Sequence, residues 1–231
     1  TENFARVEGG GISVEDNNIT IIMNCTIKQN QARSGGGLYS KRSDKLIIIA
    51  SSLSMNVAST QGGAIKVEAD QNKYVFMYFC IFTKNIAEHQ ATAFFLVTVK
   101  GCFVGNTRIT QNIAENMASS TIFAQGHWMI LSNLKIENIP QAIVLAELLF
   151  SIAKLNQVKF GCKKHTYLSE DFKSEHAAGP FYLFYKCRKC QSNQYILHSG
   201  QWLVTKQVSY RFTNQFQYIC KECATHGQCI N

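Results

Sequence analysis

Residues 27–38 read Ile-Lys-Gln-Asn-Gln-Ala-Arg-Ser-Gly-Gly-Gly-Leu, and residues 53–65 read Leu-Ser-Met-Asn-Val-Ala-Ser-Thr-Gln-Gly-Gly-Ala-Ile. Both stretches place an apolar residue three positions before an asparagine and an alanine two positions after it. In both, small residues then lead into the next apolar residue. A pattern that returns at a fixed interval is typical of a repeat architecture, so this repeat decides the fold.

The asparagine pattern continues along the chain. Apolar-x-x-Asn occurs at 27–30, 53–56, 82–85 and 109–112, with a looser copy at 135–138, so successive asparagines are 26, 29, 27 and 26 residues apart. A unit of this length cannot bury its own apolar face and is stabilised by stacking on its neighbours. We predict that the asparagine side chains form a hydrogen-bonded structural ladder between stacked turns. The predicted members are Asn30, Asn56, Asn85, Asn112 and Asn138.

Runs of β-forming residues fill each period, for example at 46–49, 74–79 and 94–99, and no period holds enough helix formers for a βα unit. Near-continuous runs of this kind are typical of parallel strands that are covered on both faces. The sequence therefore predicts an all-β fold, a parallel β-helix (solenoid) of about six coils over residues 1–158. We expect three short strands per coil, with neighbouring coils about 4.8 Å apart.

Composition and charge exclude several classes of protein. The chain has 231 residues, of which 46% are hydrophobic and 16% charged, which excludes a disordered tail or a coiled coil. No window reaches eighteen uninterrupted apolar residues, so we expect no membrane-spanning segment. Most of the net charge of +8 falls in residues 159–231 and is scattered among cysteines and aromatics, which argues against nucleic-acid binding. Because the chain starts at Thr1 without a signal segment, we expect it to be part of a longer protein.

The repeat resembles known surface proteins. Residues 62–65 (Gly-Gly-Ala-Ile) and 82–85 (Phe-Thr-Lys-Asn) resemble the GGA[ILV] and FxxN repeats of the polymorphic outer-membrane protein family. The wider pattern resembles pectin-lyase-like right-handed parallel β-helices, including large cysteine-rich surface proteins of ciliated protists. This resemblance implies a right-handed helix and an extracellular or cell-surface setting.

Nine cysteines divide between the repeat and the last third of the chain. Cys25 and Cys80 each lie two residues before the apolar residue of their repeat, and we predict that both are buried small hydrophobes. We expect residues 159–231 to form a cysteine-rich, basic and aromatic module that caps the solenoid. Its candidate disulfide cysteines are Cys162, Cys187, Cys190, Cys220, Cys223 and Cys229.

The same module has a second interpretation. Its two Cys-x-x-Cys pairs can form a four-thiolate zinc site of Cys187, Cys190, Cys220 and Cys223, with His165 and His226 as spare ligands. The resemblance to surface proteins and two Asn-x-Thr sequons, at Asn18 and Asn24, favour disulfides and predict glycosylation at these asparagines. We otherwise expect no metal and no cofactor.

Carboxylates at one turn offer the best candidate for catalysis. Asp16, Asp44 and Asp70 follow one another at intervals of 28 and 26 residues, and stacked carboxylates could serve as acid and base or bind calcium. Aspartate is also an ordinary turn residue, which is the simpler interpretation. The histidines form no metal-binding motif, and no nucleotide-binding or hydrolase motif occurs.

Taken together, these features predict a non-catalytic extracellular structural or adhesive surface protein, a protomer of a filament or surface assembly. The expected partners are other protein subunits, in a homo- or hetero-assembly, and glycans. The alternative is a carbohydrate-active enzyme, a polysaccharide lyase or hydrolase with the three aspartates as catalytic residues, or a glycan-binding module on a β-helix.

Overall fold

The computed structural model describes residues 1–69, 74–114, 120–137, 144–161, 166–174, 181–189, 194–195, 201–209 and 221–222. Within these it describes side chains at 1–69, 74–97, 99–114, 120–137, 154–159 and 161. This part of the chain is all-β and forms a parallel β-solenoid of about five turns. The fold class predicted from the repeat is therefore confirmed, with about five turns in place of six.

The turns contain short strands that follow one another in a constant order. The first two turns contain β1 Ile12–Glu15, β2 Ile19–Met23, β3 Thr26–Lys28, β4 Gln31–Ser34, β5 Leu38–Lys41, β6 Lys45–Ile49, β7 Ser52–Ser54 and β8 Val57–Gln61. The next two contain β9 Ile65–Glu68, β10 Tyr74–Tyr78, β11 Ile81–Thr83, β12 Ile86–Ala87, β13 Phe94–Gly105, β14 Arg108–Thr110 and β15 Ile113–Ala114. The last contain β16 Ser120–Ser132, β17 Lys135–Glu137 and β18 Val144–Gly161.

Four walls run up the solenoid, where the sequence predicted three. The first wall pairs β1, β5, β9 and the starts of β13 and β16. The second pairs β2, β6, β10 and the ends of β13 and β16. The third pairs β3, β7, β11, β14 and β17, and the fourth pairs β4, β8, β12 and β15. All of these pairings are parallel.

The interior is a column of apolar side chains contributed alternately along each strand. In the second wall Leu46 and Ile48 are buried at 1% and 0% exposure, while Ile47 and Ile49 point outward and are half-buried. The alternation follows from the two-residue period of a strand. Many interior stacking positions carry similar residues, such as Leu53, Phe82 and Ile109, so that each turn buries the apolar face of the next.

The corners between walls use a left-handed backbone conformation. The residues between the second and third walls have φ near +50°, namely Asn24 at 52°, Ala50 at 47°, Phe79 at 54°, Asn106 at 47° and Asn133 at 51°. A second such column, at Gln29, Met55, Lys84 and Gln111, joins the third wall to the fourth. One residue in this conformation turns the chain from one wall into the next without a loop, which keeps the turns in register.

Beyond Gly161 the described strands are antiparallel. They are β19 Thr166–Ser174, β20 Phe181–Lys189, β21 Gln194–Tyr195, β22 Gln201–Ser209 and β23 Lys221–Glu222. Both β20 and β22 pair with β18, and β19 pairs with β20. The direction of strand pairing thus changes after the last solenoid strand. The cysteine-rich cap at residues 159–231 stays a prediction. No helix in the described part of the chain is both long and apolar enough to cross a membrane.

Candidate functional site

The asparagine column lies inside the solenoid and forms a continuous ladder. The Oδ1 of Asn56 accepts hydrogen bonds from the backbone N–H and the Nδ2 of Asn30, at 3.1 and 3.0 Å. The Oδ1 of Asn85 accepts the same pair from Asn56, and that of Asn112 accepts it from Asn85. These four side chains are at most 1% exposed, so the predicted column has a structural role between Asn30 and Asn112. The predicted fifth member, Asn138, lies outside the described residues.

The ladder begins one turn earlier than the sequence analysis predicted. Asn3 donates to the Oδ1 of Asn30 from both its backbone N–H and its Nδ2, each at 3.1 Å. The signal was present, since Asn3 precedes Ala5 by two residues and Asn30 by 27. It was missed because the apolar residue that precedes the other asparagines would fall before Thr1.

The predicted carboxylate cluster is not assembled at Asp16 and Asp44, which corrects that prediction. Asp16 is next to Arg42, and its two carboxylate oxygens accept hydrogen bonds of 2.6 and 2.7 Å from the guanidinium. The N–H of Asp44 bonds instead to the carbonyl of Asn17, which places Asp44 beside Asn18 in the neighbouring turn. The interval of 28 residues differs by two from the 26-residue offset between these turns. Asp70 lies outside the described residues.

The repeat cysteines differ in exposure. Cys80 and Cys102 are buried at 1% and 0% exposure, and burial raises the pKa of both thiols. Cys25 is exposed, so the prediction that it is a buried small hydrophobe is wrong. Among the described residues, the adjacent strand β3 pairs with β7. Ser51 continues the same column and accepts a hydrogen bond from the N–H of Cys25 at 3.1 Å.

The remaining predicted sites stay predictions. Asn18 and Asn24 are both exposed, as a glycan acceptor requires. Cys187 belongs to β20, of which only the backbone is described. Outside the described residues lie Cys162, Cys190, Cys220, Cys223, Cys229, His165 and His226. The disulfide and zinc interpretations of these residues are therefore both open. The part of the chain that the structure describes holds no group of three or more His, Cys, Asp or Glu suited to a metal ion.

The outer face of the second wall is apolar, and we call it the apolar face. Its central row consists of Ile21, Ile47, Phe76, Phe103 and Ile130, which are register partners in successive turns. On either side, Ile19 and Met23 are 57% and 56% exposed, and Ile21 itself is 61% exposed. A parallel sheet in a soluble protein is usually covered on both faces, and an exposed apolar patch of this kind marks an interaction site.

Two glycines allow aromatic rings to lie on the apolar face. A Cβ built on Gly101 would overlap the indole of Trp128, and a Cβ on Gly105 would lie 2.6 Å from the ring of Tyr78. The ring of Trp128 lies 6.2 Å from that of Tyr74, and the ring of Tyr78 lies 5.9 Å from that of Phe103. These rings fill the gaps left by the glycines and make the apolar face continuous.

A polar groove lies where the fourth wall turns into the first. It encloses a cavity of about 400 Å³, and its lining residues come from four successive turns. The lining residues are Val7, Glu8, Arg33, Ser34, Thr60, Gln61, Lys66 and His89. We call this feature the corner groove. The corner groove was not predicted from the sequence, because its two walls meet only after the glycine-rich corner at 35–37 has turned the chain.

A charged network faces the corner groove. The ammonium of Lys66 lies 2.7 Å from the Oε1 of Glu68 and donates to the Oγ of Ser34 at 3.4 Å. The hydroxyl of Tyr39 donates to the Oε2 of Glu68 at 2.8 Å. Lys66 also lies 5.9 Å from the ring centroids of Tyr39 and Phe95, so it packs between two aromatic rings.

The network shifts the pKa values of its acids in opposite directions. Burial and the carboxylate of Glu68, then the nearby carboxylate of Glu8, raise the pKa of Tyr39 well above its usual range. Burial acts to raise the pKa of Glu68, but hydrogen bonds from Lys66 and Tyr39 outweigh it and lower that pKa. At neutral pH Tyr39 is therefore a neutral donor and Glu68 a carboxylate acceptor.

No protein-family model matches the chain, and comparisons with curated proteins and with solved structures give no match.

Proposed function

We propose that this chain is a non-catalytic structural or adhesive protein, located outside the cell or on its surface, that assembles with further copies of itself through the apolar face. The single observation that supports this proposal is the exposure of Ile19, Ile21 and Met23, of which Ile21 begins a row of apolar and aromatic side chains through five turns. The resemblance to pectin-lyase-like right-handed β-helices of surface proteins supports the extracellular setting, as do the exposed sequon asparagines.

Self-association agrees with the distribution of charge around the apolar face. The face carries Lys45 and, at one edge, Lys100, and Lys154 follows Ile130 at the end of the central row, while the row from Ile21 to Ile130 is uncharged. Two copies related by a two-fold axis would bury the uncharged centres and keep their lysine-bearing edges apart. With strands 4.8 Å apart and five residues per strand, the sheet patch covers about 400 Å², the size at which exposed apolar surface marks an interaction site.

Sedimentation velocity over a range of concentrations tests this proposal with the full chain. We expect the parent protein to self-associate and Ile21→Lys to shift it toward monomer, because a buried unpaired charge is costly. Gln111→Lys is the matched control, since the equivalent corner one turn earlier already carries Lys84. A parent protein that is monomeric at every concentration, or an Ile21→Lys variant that associates like the control, would overturn the proposal.

The enzyme alternative requires an acid and a base close together. Asp16 is instead bound to Arg42, and Asp44 is exposed beside Asn18. An assay on acidic and neutral polysaccharides, with Asp44→Asn and Asp70→Asn variants, tests this alternative directly. Depolymerisation that is lost in both variants would favour the enzyme.

A further inference from the structure

A charged side chain occupies a position where its neighbours are aromatic. The outward row of the first wall contains Tyr39, Lys66, Phe95 and Phe123 as register partners in four turns. The rings of Phe95 and Phe123 stack at 4.7 Å, and Lys66 is only 7% exposed. Its partner Glu68 has 39% of its side chain exposed, and ion pairs open to solvent contribute only about 0–1 kcal/mol. The stability of the solenoid therefore gives little reason for a lysine and its partner Glu68 at this place.

The corner groove shows a second departure from the regular repeat. Between β4 and β8 the register shifts, so that Ala32 pairs with Ala58 while Ser34 pairs with Gln61. The extra residue brings the hydroxyl of Thr60 to 2.6 Å from the carbonyl of Arg33 and 2.8 Å from the Oγ of Ser34. Irregularities of this kind re-aim side chains and are frequent beside binding sites.

From these features we propose that the corner groove binds a neutral sugar unit of a glycan. In the lining, Glu8 is negative and Arg33 and Lys66 are positive, and Lys66 is paired with Glu68, which lies beside the lining. These four groups together have no net formal charge. A site without net charge favours a ligand without net charge. The cavity of about 400 Å³ is near the lower end of ligand sites, which suits one or two sugar units.

The hydrogen-bonding groups of the groove match those of a polyhydroxylated ligand. Sugar hydroxyls both donate and accept, and the groove offers both kinds of partner. Arg33 and His89 are exposed and make no side-chain hydrogen bond or ion pair within the described residues, so both remain available to a ligand. Glu8 supplies acceptor oxygens at the opposite end of the lining. This site is separate from the apolar face, so the inference stands or falls independently of self-association.

Saturation-transfer-difference NMR and calorimetry on the full chain test this inference. The probes are neutral gluco-, manno-, galacto- and xylo-oligosaccharides, with oligogalacturonate and sulfated oligosaccharides as the charged arm. We expect at least one neutral series to bind and the charged series to bind more weakly. Failure of every neutral series to bind, or stronger binding of the charged series, would overturn it.

Variants then locate the site. Arg33→Ala removes an exposed side chain from the groove, and we expect it to weaken binding at least tenfold. Arg108→Ala is the matched control, because Arg108 is an exposed arginine on the third wall. Lys66→Met removes the buried ammonium. We expect this variant to fold and to bind at least tenfold more weakly, as Arg33→Ala does. Parent-like affinity in Arg33→Ala, or an equal loss in Arg108→Ala, would contradict the assignment.

Discussion

The Oδ1 of Asn85 accepts two hydrogen bonds from Asn56, one from its backbone N–H and one from its Nδ2, each 3.0 Å long. Asn56 also donates to the carbonyl of Ile27 at 3.0 Å and accepts two bonds from Asn30. One side chain thus satisfies polar groups in the turns on both sides of it. Since buried polar groups need partners, the ladder fixes the register of the stack as well as adding stability.

Asn56→Ala should destabilise the protein by about 3–5 kcal/mol, because several buried polar groups lose their partners and each costs about 1–3 kcal/mol. Chemical denaturation followed by circular dichroism measures this loss. Asn3→Ala is the control, since Asn3 is exposed and ends the ladder, and it should cost about 1 kcal/mol or less. Equal losses in the two variants would show that the buried ladder adds nothing beyond a single hydrogen bond.

The repeat interval was sufficient to predict the fold, because stacking makes residues 26 to 29 positions apart into neighbours. The number of walls was not predictable in the same way. The fourth wall is short and partly polar, as in Gln31–Ser34, and shrinks to two residues in Ile86–Ala87. A strand of this kind is held by its parallel neighbours and not by its own β propensity, so local sequence gives little sign of it.

The candidate sites were less predictable than the fold. The three aspartates were expected to stack because they recur at about the length of one repeat. Strand pairing instead joins residues that are 26 positions apart in these turns, which places Arg42 and not Asp44 beside Asp16. Lys66 bonds to Ser34 across 32 residues, and that contact exists only after the glycine corner has brought two walls together. In the sequence, Lys66 is simply the polar residue of an alternating strand.

Replacing Ala91 with glycine should increase the stability of the protein. It occupies the corner position of Gly35 and Gly62, and its φ of 55° is close to their values of 61° and 68°. An L-residue with a side chain is strained in this conformation by about 1–2 kcal/mol. Glycine removes this strain, but the greater entropy of glycine in the unfolded chain offsets part of the gain in stability. Ala91→Gly should therefore raise the free energy of unfolding by about 0.5–1 kcal/mol.

The reverse change is the control for this prediction. A Cβ on Gly62 would overlap the carbonyl oxygen of Ile65, so Gly62→Ala should destabilise by about 2 kcal/mol or more. Thermal and denaturant unfolding of both variants measure the two effects. If Ala91→Gly proves less stable than the parent, packing of the buried Ala91 methyl group outweighs the backbone strain.

The three repeat cysteines should differ in reactivity toward alkylating reagents. Cys25 is exposed and should react with iodoacetamide in the native protein. Cys80 and Cys102 should react only after unfolding, because burial limits access and raises the pKa of each thiol. Peptide mass spectrometry of protein labelled before and after denaturation gives the extent at each site. Native-state labelling of Cys102 as fast as that of Cys25 would contradict the buried position.

The Lys66–Glu68 pair should make stability depend on acid pH. The pKa of Glu68 is lower in the folded protein than the value of about 4.3 typical of an unfolded chain. Its contribution is therefore fully present above about pH 5 and is lost as the pH falls below about 4. Glu68→Gln should cost about 1 kcal/mol at neutral pH, a modest value because 39% of the Glu68 side chain is exposed to screening water.

Urea unfolding of the parent and of Glu68→Gln between about pH 3 and 7 separates this effect from general acid destabilisation. The difference between the two proteins should be constant above about pH 5 and should narrow toward zero as Glu68 becomes protonated. Glu15→Gln is the matched control, since Glu15 is an exposed carboxylate 3.6 Å from Arg42 and has no buried partner in that contact. If the difference in free energy of unfolding between the parent and Glu68→Gln stays the same down to about pH 3, the charge of Glu68 does not stabilise its contact with Lys66.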